Sequence, residues 1–108
     1  MQNVYDIAYD LVRSLKETDQ YKNYAALKAQ VDGNEQLKNM IEDFQEKSME
    51  IQTKLMMGEK DENLGAQLQS LYGIVMSDPS AAAYLQSQMA LSQIISDIYK
   101  IIGESLNV

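Results

Sequence analysis

The chain has 108 residues with no cysteine and no histidine, and its 16 acidic and 9 basic residues give a formal charge of −7. The length predicts one domain over residues 1–108, and the missing residue types exclude disulfides, thiolate zinc sites and cysteine-ligated iron–sulfur clusters. The acidic balance argues against direct binding of nucleic acid or of an anionic membrane, and nothing in the sequence implies a cofactor.

No apolar run approaches the ~20 residues that span a bilayer. The first ten residues, MQNVYDIAYD, lack the basic and apolar regions of a signal peptide. We therefore expect a cytoplasmic chain without a membrane segment.

The first predicted helix begins after Asn3, a residue that can cap a helix N-terminus. Thr18 and Asp19 follow this helix, and their side chains compete with helical hydrogen bonds. They predict a kink or a short break, after which a segment over 20–31 either continues the first helix or starts a new one. The apolar face of the first helix consists of Val4, Ile7, Ala8, Leu11, Val12 and Leu15.

A long central helix is predicted between Asp32 and Gly58. Asp32 can cap it with Glu35 reaching back, as in a capping box, while Asn34 is the rival cap because Gly33 suits a first turn poorly. Gly58 favours the left-handed conformation that ends many helices. The central helix seam, a narrow apolar stripe interrupted only by Ser48, consists of Leu37, Ile41, Phe44, Ile51 and Leu55. A seam of this width suits packing against a neighbouring helix.

Two further helices complete the chain. Asp61 is the expected cap of the first, in which Gly65 and Gly73 each cost about 1 kcal/mol relative to alanine. Asp78 before Pro79 is a helix start signal, and the last helix is expected to run to about Ile102. No stretch alternates with period two, so we predict an all-α fold: an antiparallel helical bundle of four helices, or five if the chain breaks at Thr18, with a long central helix.

Three carboxylates on the central helix, Glu42, Glu46 and Glu50, stand at i, i+4 spacing. Carboxylate metal sites in bundles add a histidine and face inward. This chain has no histidine, and the three glutamates lie away from the central helix seam. We expect a solvated face with ion pairs such as Glu50–Lys54, and we expect neither a metal site nor a catalytic site.

The last helix carries the strongest indication of function. Its apolar residues cover roughly 160° of the helix surface, more than packing against one neighbour needs. Either it is an inner helix of the bundle, or its surplus face binds another chain, and the similarly wide face of the first helix favours binding. The candidate self-association face comprises Ile7, Leu11, Leu91, Ile94, Ile95, Ile98, Ile101 and Ile102.

Several segments resemble the YlbF/YheA family of small all-helical bacterial proteins, in particular its YheA-like branch. They are VYDIAYDL at 4–11, Asp32 before the central helix, FQEKSMEIQ at 44–52, MMGE at 56–59 and SDIYKII at 96–102. The resemblance implies a helical, dimer-prone protein without known enzymatic activity. Some members resemble subunits of a cytoplasmic complex that supports messenger RNA processing and cell-fate decisions. The cysteine-rich C-terminal tail of the YlbF branch is missing from this sequence, which argues against a cluster-binding role.

These observations predict a non-enzymatic adaptor that binds itself, as a homodimer or higher oligomer, and other proteins. A holdase-like chaperone is an alternative that would use the same helical surfaces. An enzyme or metal-dependent factor is disfavoured because histidine and cysteine are absent.

Overall fold

A computed structural model describes residues 3–108 and confirms the all-α fold, with no strand among those residues. Met1 and Gln2, the first two residues of the segment assessed as a signal peptide, lie outside the described part. The helices are α1 (Val4–Lys16), α2 (Asp19–Asp32), α3 (Glu35–Met56), α4 (Glu62–Ser77) and α5 (Pro79–Leu106).

The break between α1 and α2 is real, so the alternative with five helices is correct. The Thr18 hydroxyl donates a hydrogen bond to the carbonyl oxygen of Leu15 at 2.7 Å. The same hydroxyl oxygen accepts one from the amide of Tyr21 at 3.1 Å. Thr18 therefore satisfies backbone groups on both sides of the break, as expected of a side chain that competes with helix.

Asparagine side chains cap the first and third helices. The Asn3 side chain accepts from the amide of Asp6 at 2.9 Å, and Asn34 accepts from the amide of Leu37 at 3.1 Å. Asp32, the other candidate cap of α3, is instead the last residue of α2. The helical bonds of α2 continue past it, since the Gly33 amide donates to the carbonyl of Ala29 at 3.1 Å.

Aspartate caps begin the last two helices, as predicted. Asp61 accepts from the amide of Leu64 at 2.9 Å, and Asp78 accepts from the amides of Ser80 and Ala81. Helix α5 extends past the expected end near Ile102, and with 28 residues it is longer than the 22-residue α3.

The end of α3 matches the sequence expectation. Gly58 follows it with φ of +77°, the left-handed conformation expected of a glycine after a helix. The backbone therefore turns into the α3–α4 connection without the strain that a side chain at this position would cause.

The contacts divide the chain into two compact units, with boundaries inside α2 and α5. The middle unit (Ala29–Ala83) contains α3 packed against α4, with the rings of Phe44 and Tyr72 6.0 Å apart. Its buried apolar residues are Val31, Leu37, Ile41, Leu64, Val75 and Ala81. The single domain expected from the length stays a prediction.

The terminal unit consists of Met1–Lys28 and Tyr84–Val108. Inside it, Tyr24 of α2 stacks on Tyr84 of α5, with ring centroids 5.7 Å apart and planes inclined by 26°. Ser87 is also buried, and its hydroxyl donates to the carbonyl of Tyr84 at 2.7 Å. Tight packing in this unit is therefore concentrated around these aromatic and hydroxyl groups.

Candidate interaction surfaces

Helix α1 is strongly amphipathic, yet none of its residues is buried. Exposure along its apolar face rises towards the N-terminus: Leu15 is half-buried, Ile7 is 53% exposed and Val4 71% exposed. The flanking Tyr5 is 73% exposed. An amphipathic face normally lies against a core, so α1 presents an apolar surface without a cover in the described chain.

The apolar face of α5 shows a similar gradient in the opposite chain direction. Tyr84 is buried, Leu91 and Ile98 are half-buried, and Ile102 is exposed. Leu106, in the last turn, is 68% exposed. The apolar face of α5 therefore becomes more exposed towards the C-terminus.

The candidate self-association face lies entirely in the terminal unit. Three of its residues, Leu91, Ile94 and Ile98, are half-buried. The exposed members are Ile7, Leu11, Ile95, Ile101 and Ile102. Its role as an interface between copies stays a prediction.

The central helix seam loses its cover towards its C-terminal end. Leu37 and Ile41 are buried, whereas Phe44, Ser48 and Ile51 are half-buried. Leu55, the last residue of the seam, is 63% exposed. The end of α3 therefore offers apolar surface near the connection to α4.

An ion pair closes the connection between α3 and α4. The Lys54 ammonium lies 2.7 Å from a carboxylate oxygen of Asp61 and 3.8 Å from Glu50. The hydrogen bond from Lys54 lowers the pKa of the Asp61 carboxyl, and the amide of Leu64 acts in the same direction. The bond to Asp61 likewise raises the pKa of Lys54. Asp61 thus caps α4 and ties it to α3.

Beside this ion pair lies a cavity of about 240 Å³ whose lining is mainly apolar. Ile51 and Leu55 of α3 form one side, and Gly65 of α4 lies on the other. A Cβ atom placed on Gly65 would meet no other atom within 4 Å. Five charged residues also line the cavity, and we call them its rim: Lys54, Glu59, Lys60, Asp61 and Glu62. We call this the hairpin-tip cavity.

Two methionines follow the cavity residues on the chain, with Met56 88% exposed and Met57 67% exposed. From the sequence, Leu55 is expected to pack in the central helix seam and Gly65 only to lower helix stability. The sequence therefore does not predict the cavity. Two glycines inside one short helix were the signal that could have indicated open space there.

The acidic residues of α3 take part in local pairs. Asp43 accepts from Lys47 at 2.5 Å, and Glu50 lies 3.8 Å from Lys54. Among residues 3–108, no three acidic side chains are placed to hold a metal ion together. The expectation that Glu42, Glu46 and Glu50 bind no cation stays a prediction.

Within the described part of the chain, every helix is too short or too polar to cross a bilayer.

Comparison with known proteins supports the resemblance found in the sequence. Residues 4–107 match the family model described as "Control of competence regulator ComK, YlbF/YmcA". A UPF0342 protein of Caldicellulosiruptor bescii is 42% identical over 107 residues, covering 98% of this chain and 90% of the relative. A UPF0342 protein of Symbiobacterium thermophilum is 35% identical and covers 97% of this chain and 95% of its own length.

The solved structure of yheA from Bacillus subtilis has the same fold. It superposes with a TM-score of 0.69 and covers 98% of this chain and 97% of its own. The sequence identity between the two is 23%, so this similarity concerns the fold alone.

Proposed function

The chain belongs to the family described as control of competence regulator ComK, YlbF/YmcA, and from that premise we propose that it is a non-enzymatic helical adaptor that associates with itself and binds other proteins. The family description names the control of a regulator, a task that protein–protein contacts can perform without a reaction. The biological process in which this chain acts is, on this proposal, likewise a regulatory one.

The uncovered apolar face of α1 is the observation that carries the proposal. Burying a large apolar side chain is worth about 1.5–3 kcal/mol, and Val4, Ile7 and Leu11 all remain exposed. Contiguous apolar surface of this kind is typical of interaction sites. A second copy supplies a matching surface, because both copies carry the same faces on α1 and α5.

Two tyrosines beside these faces enlarge the exposed apolar surface. Tyr5 and Tyr99 are 73% and 72% exposed, and a tyrosine buries about 150–250 Å² when it is covered. They add apolar surface to the exposed isoleucine, leucine and valine side chains of α1 and α5. This surface supports the proposed association between copies.

Sedimentation equilibrium over a wide concentration range tests self-association. We expect the wild type to be a dimer or higher oligomer and Ile102→Asp to shift it towards monomer, because the variant places a charge inside the interface. Ile102 is a better target than Ile98, since it is 47% exposed while Ile98 is half-buried. Far-ultraviolet circular dichroism checks that the variant keeps its helices.

Met89→Asp is the matched control. Met89 is 72% exposed on the same helix and lies roughly 140° around it from Ile102 at 100° per residue, so this variant adds the same charge outside the interface. It should sediment like the wild type. A wild type that is monomeric at every concentration, or equal dissociation by both variants, contradicts the proposal.

Light scattering during thermal aggregation of an unrelated client, such as citrate synthase, separates the adaptor from a holdase-like chaperone. An adaptor leaves the client's aggregation unchanged at equimolar concentration. If the wild type suppresses aggregation of the client, and Ile102→Asp suppresses it further because its apolar face is free, the chaperone is favoured.

A further inference from the structure

We propose that the hairpin-tip cavity is a second docking site, which takes an apolar anchor side chain from an amphipathic helix of a partner protein with lysine or arginine beside the anchor. The inference rests on the proposed function only in treating the chain as an interaction protein. It concerns the middle unit, whereas the candidate self-association face belongs to the terminal unit.

The cavity is preformed by the chain's own bonds. The Lys54–Asp61 pair spans the connection at 2.7 Å, and Asp61 also caps α4. The amide of Glu59 donates to the carbonyl of Lys54 at 2.8 Å, and Gly58 adopts the left-handed turn. A partner therefore meets an ordered site, which reduces the entropy lost on binding.

The size of the cavity indicates what kind of group it holds. At about 240 Å³ it has room for one side chain, and five of its lining residues also line a more polar depression of about 640 Å³. Its walls are apolar side chains of Ile51 and Leu55 together with Gly65. These properties fit one large aliphatic or aromatic side chain, the usual anchor of a helix that binds in a groove.

Gly65 adds a separate argument. A glycine inside a helix costs about 1 kcal/mol relative to alanine, and a Cβ atom at this position would clash with nothing. The chain's own packing therefore does not require glycine here. Glycine leaves the α4 backbone open to a ligand where Gly65 lines the cavity.

The charges around the cavity indicate which residues the partner carries beside its anchor side chain. Lys54 is paired with Asp61, which leaves Lys60 against the carboxylates of Glu59 and Glu62 on the rim. Glu50 adds a further negative charge 3.8 Å from Lys54. The net negative rim attracts basic flanking residues, and the exposed Met56 and Met57 supply adaptable apolar contact beside it.

A synthetic peptide serves as the probe. It has about 15 residues, with leucine at i, i+3, i+4 and i+7 and lysine elsewhere, so that it forms an amphipathic helix when bound. Titration of the ¹⁵N-labelled protein should perturb the amide signals of Ile51, Leu55 and Gly65. The same peptide with glutamate in place of lysine should bind at least about tenfold more weakly, because the rim and the chain's charge of −7 both repel it.

Two glycine variants decide whether the cavity is the site. Gly65→Leu fills the cavity and should weaken peptide binding about tenfold or more. Gly73→Leu is the matched control, since Gly73 lies in the same helix with equally open space and outside the cavity. This substitution raises the helix propensity of α4 as much as Gly65→Leu does, and the variant should bind the peptide within about twofold of the wild type.

Three results would overturn the inference: equal binding of the two peptides, equal loss in both glycine variants, or perturbations confined to α1 and α5. The inference would also be overturned if the amide signals of the cavity residues shifted with protein concentration in the absence of peptide. Such a shift would identify a second copy as the occupant. Sedimentation of the same samples reports separately on the terminal unit, so failure here is distinguishable from failure of the proposed function.

Discussion

Single polar side chains decide where the helices of this protein begin. Asn3, Asn34, Asp61 and Asp78 each accept from backbone amides in the first turn that follows them. Caps of this type contribute about 1 kcal/mol each. Asp61 differs from the other caps in forming an ion pair with Lys54 as well, so its charge matters in addition to its hydrogen bond.

The Asp61→Asn variant separates these two roles, because asparagine keeps the cap but loses the charge. The pKa of Asp61 is lowered in the folded chain from 3.8, so its contribution is complete above that value and is lost as the pH falls through the folded pKa. We expect the wild type to be more stable than the variant at pH 6 and this advantage to shrink below about pH 4. Urea unfolding at a series of pH values measures it.

Glu62→Gln is the control, since it removes a carboxylate from the same turn and leaves the Lys54–Asp61 pair intact. The free energy of unfolding of Glu62→Gln should still decrease in acid, as that of the wild type does. An advantage of the wild type over Asp61→Asn that stays constant down to pH 2 would show that the ion pair has no part in stability.

Local chemistry of this kind could be predicted from the sequence, because a cap depends on residues a few positions apart. Asn3, Asp61 and Asp78 were identified in this way. The choice between Asp32 and Asn34 depended on where α2 ends, which is decided by the Gly33–Ala29 backbone bond. Neither candidate residue carries that information by itself.

Helices α1 and α3 illustrate two ways in which an amphipathic helix can be placed. The face of α3 packs on α4 and buries Leu37 and Ile41, whereas α1 buries no residue. Most of the stability of a helix in a protein comes from packing its apolar face. Helix α1, with 13 residues, is about the length at which an isolated helix is only marginally stable in water.

We therefore expect the amides of α1 to exchange with deuterium quickly in the monomer and slowly in the oligomer. Amide exchange followed by mass spectrometry at low and high protein concentration measures this difference. The buried part of α3 around Leu37 and Ile41 is the internal reference and should be protected at both concentrations. Equal protection of α1 and α3 at the lowest concentration would show that α1 is stable without a partner.

The apolar faces of both helices could be predicted from the sequence, but the groups that pack against those faces could not. Periodicity places Ile7 and Leu11 on one side of α1, and Leu37 and Leu55 on one side of α3. It does not reveal what lies opposite, because burial depends on residues far away along the chain. Leu55 is therefore exposed although it continues the same stripe as the buried Leu37.

For the molecule as a whole, the charge of −7 opposes the meeting of two copies. Repulsion between like charges is screened as the ionic strength rises, with a Debye length of ~10 Å at 0.1 M and ~3 Å at 1 M. The proposed association through the exposed apolar faces of the terminal unit would gain from this screening. Association of a basic peptide with the acidic rim of the hairpin-tip cavity loses from it.

Raising the sodium chloride concentration from about 50 to about 500 mM should thus strengthen self-association several-fold and weaken peptide binding. Sedimentation equilibrium measures the first effect, and fluorescence anisotropy of a labelled peptide measures the second. Sodium sulfate at equal ionic strength is the comparison that separates screening from salting-out. Self-association that weakens with salt would indicate an interface made of ion pairs, contrary to the apolar one proposed.

The way the two units are built also has a consequence for the order in which the chain folds. Helices α3 and α4 pack across a connection of five residues, 57–61, whereas the Tyr24–Tyr84 contact joins segments separated by the 55 residues 29–83. Closing the 55-residue loop costs about 2 kcal/mol more in chain entropy than closing the five-residue connection, since the cost grows as 1.5RT times the logarithm of loop length. We expect the middle unit to form early and the terminal unit late, so the proposed self-association surface would be the last part of the molecule to form.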